Sequence, residues 1–386
     1  MQPSEVVPLN PPPPPAQSPA ENPTARAPPA PSGEPSSSRS PASRDNAPPA
    51  AAGATSCAPR DSAARDSAAP SSTPGGPSQT PAATSPPFRE FSYAELHAAT
   101  GGFAPARLIG EGGLGTVYRG RMMLPADGDA MRECDVAVKM VKENDFIDQE
   151  PKTFKAEVAA MSALKHYNIL KLKGVAFDAQ QRPLLVYEYI PGGDVTNLLK
   201  RVRRKEDQFP WKERVMVALG CAEALAYSHK KGIIHRDFKS SNVLLREDRT
   251  PIVADFDLAR SMEDSRTHVS TRVAGTWVYI DPAFSQTGKL YSKSDTYSFG
   301  VFLLELVFGF PPHGKEYRDL KNDVAKKDFK NPLLVADHTM EGQWEREHVL
   351  QIINMARSAT SYALDARPEM REVVGELRRI WSEIRR

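Results

Sequence analysis

From about residue 105 onward, apolar positions recur in two rhythms, one after the other. Short runs rich in β-branched residues cover 107–112, 116–121, 136–141, 169–177 and 184–190. Bounded by glycine and polar clusters, such runs predict strands. One amphipathic helix is predicted over 151–164, between the third and fourth runs. After Gly192-Gly193 the spacing becomes helical. Val215, Leu219, Ala222 and Ala226 fall on one face of a helix predicted over 211–229. Further helices are predicted over 294–307, 348–360 and 371–384. A strand-rich part followed by a helix-rich part predicts an α+β chain of two lobes. The smaller N-lobe is β-rich with one helix, the larger C-lobe is helical, and a cleft lies between them. No internal repeat is visible.

Ahead of Phe88 neither rhythm is present. That stretch holds 23 of the 35 prolines and no aromatic residue. It cannot bury enough apolar surface to offset its chain entropy, so residues 1–87 are expected to be a disordered Pro-rich tail. The run Pro11 to Pro15 favours polyproline II and is a candidate ligand for SH3- or WW-like modules, the other reading being a solvated tail with no dedicated partner. Ser18, Ser40 and Ser85 each precede proline, a weak phosphorylation signal. Acidic residues from Glu5 to Asp66 argue against a transit peptide, and the proline-broken start argues against a secretory signal. Gln2 excludes N-myristoylation. The most apolar stretch, 301–310, is interrupted by Glu305 and falls short of the roughly 20 residues a membrane span needs, so no transmembrane segment is expected.

Lys and Arg total 50 against 48 Asp and Glu, a balance that gives no support for nucleic acid as a partner. Cys57, Cys134 and Cys221 are odd in number and far apart, which favours a reducing, intracellular compartment.

Candidate chemistry concentrates at four places. Gly110-Glu111-Gly112-Gly113-Leu114-Gly115 is a GxGxxG, whose glycines let backbone approach phosphates. Dinucleotide sites share that spacing, but their loop opens a helix. Here Thr116 to Gly120 continues as a strand, so a hairpin lid over a nucleotide is predicted. Lys139 ends the apolar run Val136-Ala137-Val138-Lys139 and can pair with phosphates. Glu157, on the predicted helix, can hold Lys139 extended; alone it would be only a solvated charge. The most specific signal is His235-Arg236-Asp237-Phe238-Lys239-Ser240-Ser241-Asn242. Asp237 can accept a hydroxyl proton, Lys239 can neutralise a transferring phosphoryl group, and Asn242 can offer an oxygen to a divalent metal. Asp255, shortly after it, is placed to chelate the same ion.

Together these residues resemble the eukaryotic protein kinase family and, more narrowly, the plant receptor-like cytoplasmic kinases of the Pelle-related group. Phe91-Ser92-Tyr93-Ala94-Glu95-Leu96, Leu185-Val186-Tyr187-Glu188-Tyr189, Asp295-Thr296-Tyr297-Ser298-Phe299-Gly300 and Arg367-Pro368 are similar to that group's landmarks. The resemblance implies an N-terminal lead-in at 88–104 and a kinase domain at 105–381, divided into an N-lobe at 105–191 and a C-lobe at 192–381. Residues 382–386 would form a short tail. It further implies that Ile109, Gly110, Gly112, Gly115, Val117, Ala137, Lys139 and Glu157 surround ATP, with Tyr187 as gatekeeper and the Glu188–Tyr189 backbone at adenine. Asn242 and Asp255 would hold Mg²⁺ or Mn²⁺. Asp295 would brace the catalytic loop. Thr271 is the foremost candidate phosphosite, beside Ser270 and Thr267.

Three departures from the family pattern stand out. Asp257 replaces the glycine of Asp-Phe-Gly, and Val278 replaces a glycine in Gly275-Thr276-Trp277-Val278-Tyr279. Ala283 replaces the glutamate that pairs with the late arginine, so Arg367 is expected to lose its partner. The implied function is ATP-dependent serine/threonine phosphotransfer to proteins. Two alternatives stay open: an ATP-binding pseudokinase scaffold with little turnover, and an adaptor whose functional part is the tail. The implied partners are ATP, protein substrates and a membrane receptor kinase, in a cytoplasmic protein that a partner recruits to the plasma membrane.

Overall fold

The computed structural model describes residues 88–112, 115–125, 130–141, 158, 162–256, 260–261, 277–287, 291–326 and 328–386. The tail at 1–87, the helix predicted at 151–164 except Val158 and residues 162–164, and Glu157, Asp257, Thr267, Ser270 and Thr271 lie outside the described residues.

A six-stranded sheet, ordered β1-β5-β6-β4-β3-β2, forms the smaller lobe. Its strands are β1 (Arg89–Glu90), β2 (Leu108–Gly112), β3 (Gly115–Pro125), β4 (Met131–Val141), β5 (Leu172–Phe177) and β6 (Pro183–Glu188). Helix α1 (Tyr93–Ala99) precedes β2 and packs on β3 and β5. It begins with a capping box: the Glu95 amide donates to Ser92 Oγ at 3.2 Å, and the Ser92 amide donates to Glu95 Oε2 at 2.7 Å. Leu96 from α1 is fully buried with Val136, Val138, Leu184 and Val186, which makes one face of the sheet a sealed core.

The larger lobe is helical, as the apolar spacing predicts. Its helices are α2 (Val195–Arg203), α3 (Trp211–Lys230), α4 (Pro282–Thr287), α5 (Ser292–Phe308), α6 (Gly314–Ala325), α7 (Arg346–Ala359) and α8 (Met370–Ile384). Nearly every residue of α5 is buried, the mark of a helix at the centre of a bundle. It ends at Gly309, whose left-handed φ of 81° suits glycine and whose amide returns to Glu305 O at 2.8 Å. Helix α7 crosses α5 closely. A Cβ on Gly300 would lie 2.7 Å from Ala359 Cβ and 3.1 Å from Ala356 O, so only glycine fits there. Helices α3 and α8 pack side by side on the same core.

Two short antiparallel pairings complete the lobe. Strands β8 (Val243–Leu245) and β9 (Pro251–Val253) pair antiparallel, and β7 (Ile233–Ile234) pairs with β10 (Arg260–Ser261). Backbone bonds tie β9 to the segment entering β5, Leu170 N to Val253 O at 2.9 Å and Val253 N to Asn168 O at 2.7 Å.

Arg367 corrects one expectation. It is buried, yet not alone: its guanidinium donates to Asp281 Oδ1 at 2.6 Å, to Ser361 O at 2.7 Å and to Lys293 O at 3.1 Å. Asp281 also accepts from Ser294 Oγ and the Ala283 amide, each at 2.8 Å. The lost glutamate at 283 is thus made good by a carboxylate two positions earlier. The partner of this arginine is set by reach rather than by position.

Candidate active site

Strand register decides which side chains reach the cleft. Val117 stands opposite Lys139, Lys139 opposite Leu185, and Ala137 opposite Tyr187. Directly opposed residues share a face, as do residues two apart on one strand. Val117, Ala137, Lys139 and Tyr187 therefore share the face opposite the one that Val136 and Val138 seal. Ile109 is exposed at the end of the β2–β3 hairpin, where Gly110 opposes Val117 and Gly112 opposes Gly115. Gly115 has φ 151°, and a Cβ there would lie 2.2 Å from Met140 O. The hairpin can lie this close to β4 only without a side chain at that point.

Lys139 is buried, and its Nζ donates to Asp255 Oδ1 at 2.5 Å, linking the two lobes. Burial alone would raise the Asp255 carboxyl, but Lys139 outweighs it, and the group is held below the usual carboxylate range. Asp255 has φ 61°, a left-handed conformation that aspartate tolerates better than most residues. Behind it Tyr187, Leu172 and Phe256 line a void of about 20 Å³. The Glu188 amide donates to Lys171 O at 3.2 Å and the Tyr189 amide to Asp135 O at 3.4 Å. The Glu188 side chain reaches Arg246 at 3.1 Å.

The loop between β7 and β8 brings the remaining groups together. Asp237 Oδ2 accepts from Lys239 Nζ at 2.7 Å and from Asn242 Nδ2 at 3.2 Å, and its carbonyl accepts from the same Nδ2 at 2.7 Å. That leaves Asn242 Oδ1 as the atom suited to a cation. The Ala254 amide donates to Asn242 O at 2.8 Å, which places Asn242 and Asp255 side by side at one end of the β8–β9 hairpin. One amide oxygen and one ionised carboxylate are the hard donors that an Mg²⁺-sized ion takes from protein when phosphates and water complete its shell. The donor set therefore fits such an ion. Among the described residues no cluster of three or more His, Cys, Asp or Glu could hold a metal unaided.

Asp295, fully buried at the start of α5, fastens this loop. It accepts from the His235 and Arg236 amides and from His229 Nε2, all at 2.8 Å. Burial opposes the charge, but these donors hold its carboxyl below the usual range. Arg236 is held at φ 74°, local strain that a doubly bonded carboxylate can sustain.

A second buried group escaped the sequence. Glu305 of α5 accepts from Tyr279 Oη through a very short bond and from Ser240 Oγ at 2.8 Å. Ser240 Oγ also meets Tyr279 Oη at 3.1 Å and Thr196 Oγ1 at 2.6 Å. Burial pushes the Glu305 carboxyl up to about 8, although both donors pull it down. The network ties the catalytic loop to the segment ending at Tyr279. Its one sequence signal was a lone carboxylate inside the apolar run 301–310.

Residues 104–377 match the model of a family described as protein tyrosine and serine/threonine kinase. The probable serine/threonine-protein kinase PBL18 of Arabidopsis thaliana is 38% identical over 310 residues, 77% of this chain and 78% of that protein. The probable serine/threonine-protein kinase PBL4 of the same plant is 37% identical over 307 residues, 76% of this chain and 72% of its own length. The receptor-like serine/threonine-protein kinase ALE2, also from Arabidopsis thaliana, is 37% identical over 307 residues, 76% of this chain but 39% of that protein.

Proposed function

The chain belongs to the protein tyrosine and serine/threonine kinase family and is an ATP-dependent serine/threonine protein kinase, and on that premise we propose how its own residues divide the work. Asp237 accepts the proton of the substrate hydroxyl as that oxygen attacks the γ-phosphoryl group in line. Lys239 and Lys139 set positive charge against the phosphoryl oxygens. Asn242 and Asp255 hold the divalent cation, which supplies further positive charge there; we propose Mg²⁺, with Mn²⁺ as a substitute. Ile109, Gly110, Gly112, Gly115, Val117 and Ala137 enclose the nucleotide, with Tyr187, Glu188 and Tyr189 along its adenine edge. Glu157 pairs with Lys139 and holds it towards the phosphates.

The observation that carries this proposal is the convergence of Lys239 and Asn242 on Asp237, each within 2.7–3.2 Å of it. A scaffold without turnover would have no need of it. The test is transfer of labelled phosphate from ATP by the full chain, with Mg²⁺ and separately with Mn²⁺. Asp237→Asn should lower transfer by about 10²-fold or more while leaving ATP binding in place. Equal transfer by the variant would remove Asp237 from its role.

We also propose the finer assignments that the residues suggest. The kinase domain runs 105–381 after the lead-in at 88–104. Thr271, with Ser270 and Thr267 behind it, takes the activating phosphate, which mass spectrometry of fully active protein would find. The protein works in the cytoplasm, brought to the membrane by a receptor kinase, and Pro11 to Pro15 offers a docking run for SH3- or WW-like modules. Among the described residues no helix is long and apolar enough to cross a membrane.

A further inference from the structure

Val278, the departure from glycine, forms part of the wall of a cleft of about 510 Å³ on the helical lobe. Its apolar wall comes from Trp277, Val278 and Ile280, just before α4, and from Tyr317 of α6. Trp277 is 65% exposed, so a large aromatic surface faces solvent. Val278 itself packs partly on the central core, which fixes the wall's shape. Arg318 and Lys321, both from α6, and His313 just ahead of it supply the basic part of the lining, and among the described residues no acidic side chain contributes to it.

The charge is uncompensated for a traceable reason. Helix α6 carries three carboxylates, and each is engaged elsewhere. Glu316 binds Arg203 at 2.8 Å, Asp319 binds Lys315 at 3.5 Å, and Asp323 binds Lys326 at 2.6 Å. Among the described residues Arg318 and Lys321 form no ion pair. Lys321 is half-buried, and among the described residues its Nζ reaches the Tyr297 hydroxyl alone, at 3.5 Å, beside the Tyr297 ring. Burial holds its ammonium below the usual lysine range. A partly desolvated cation without a counter-charge gains more from an arriving anion than an exposed lysine does.

We propose that this cleft selects protein substrates by seating an acidic side chain against Lys321 and Arg318, with an adjoining apolar residue on Trp277 and Val278. The proposal rests on the phosphotransfer reading above and deepens it by naming the substrate class. Val278 closes off backbone freedom in the receiving turn, and the two cations supply a preference for Asp or Glu.

The experiment is a positional scan with serine peptides in an Ala/Gly background, carrying Glu, Gln, Lys or phosphoserine at each position around the acceptor. With wild-type full chain, kcat/KM for Glu over Gln should be about ten-fold at the best position, mostly through KM, and should shrink with added salt. Lys321→Gln should erase that ratio, and Lys321→Glu should turn the preference towards Lys peptides. Equal use of Glu and Gln peptides, a ratio that survives in Lys321→Gln, or acceptance of phosphoserine alone would overturn the proposal. Peptide binding to Asp237→Asn, followed by fluorescence anisotropy, reads the cleft without turnover. A total absence of transfer with Glu-selective binding would therefore sink the phosphotransfer reading and spare the cleft, and unselective binding would sink the cleft.

Discussion

Arg367 and Asp281 show how much one buried pair can carry. Both are almost wholly buried, and their charges are satisfied by each other and by backbone and hydroxyl groups. Removing one partner strands the other charge, so Asp281→Ala should cost about 3–5 kcal/mol in urea unfolding. Asp281→Glu should recover part of this, since only reach changes. Burial would raise the Asp281 carboxyl, but Arg367 and Ser294 leave it below its ordinary range, so its contribution is present above about pH 4 and lost as pH falls further. Glu305 has the opposite sign. Its folded pKa of about 8 exceeds the unfolded value, so the native state holds a proton that the unfolded state releases. Stability from this group is therefore greatest in acid and declines as pH rises from about 4.5 to about 8, by up to about 1.4 kcal/mol per pH unit. Glu305→Gln keeps a neutral partner for Tyr279 and Ser240 and should flatten the stability profile across that range. A variant with the wild-type slope would show Glu305 to be ionised in the fold. At this scale the sequence was legible where chemistry demands fixed local spacing, as with Asp237 and Asn242. It was opaque where partners meet through tertiary structure, as with Asp281 and Arg367.

Elements that face the core on a full stripe could be read directly. Helices α3, α5, α7 and α8 begin and end within two residues of their apolar spacing. The misses have two causes. Helix α6 buries only Tyr317 and Val324 fully, and α1 only Leu96, stripes too narrow to see. Helix α2 has a complete stripe, Val195, Leu198, Leu199 and Val202, but over only nine residues. The sequence signal for α1 was its capping box rather than its periodicity. Ser92→Ala should lower stability by about 0.5–2 kcal/mol, seen as a drop in Tm without loss of transfer once folded. Strand β4 starts at Met131, earlier than its apolar run, because Met131 to Asp135 pairs with the far end of β3 where both strands are half-exposed. In the β2–β3 hairpin, Gly115→Ala would drive a Cβ into Met140 O and lift the hairpin from β4. KM for ATP should rise several-fold, measured beside an unchanged Tm for the helical lobe.

For the whole molecule, two lobes meet where Lys139 reaches Asp255 and where β9 holds the strand entering β5. The two-lobed plan was legible because strand and helix rhythms occupy separate halves of the sequence. How the lobes join was not, because among the described residues the join consists of backbone bonds and long-range ion pairs, Lys139 with Asp255 and Glu188 with Arg246. The anchor at Arg367 has a consequence for motion. It bolts the turn around Asp281 to the turn just ahead of α8, and Tyr279 is hydrogen-bonded to Glu305 in the last turn of α5. Amide protons in that turn should exchange with solvent at the pace of global unfolding rather than of local opening. On warming, substrate choice would then outlast the grip on nucleotide, whose glycine hairpin lies at the far end of the sheet. Heat would silence the enzyme before it made the enzyme promiscuous.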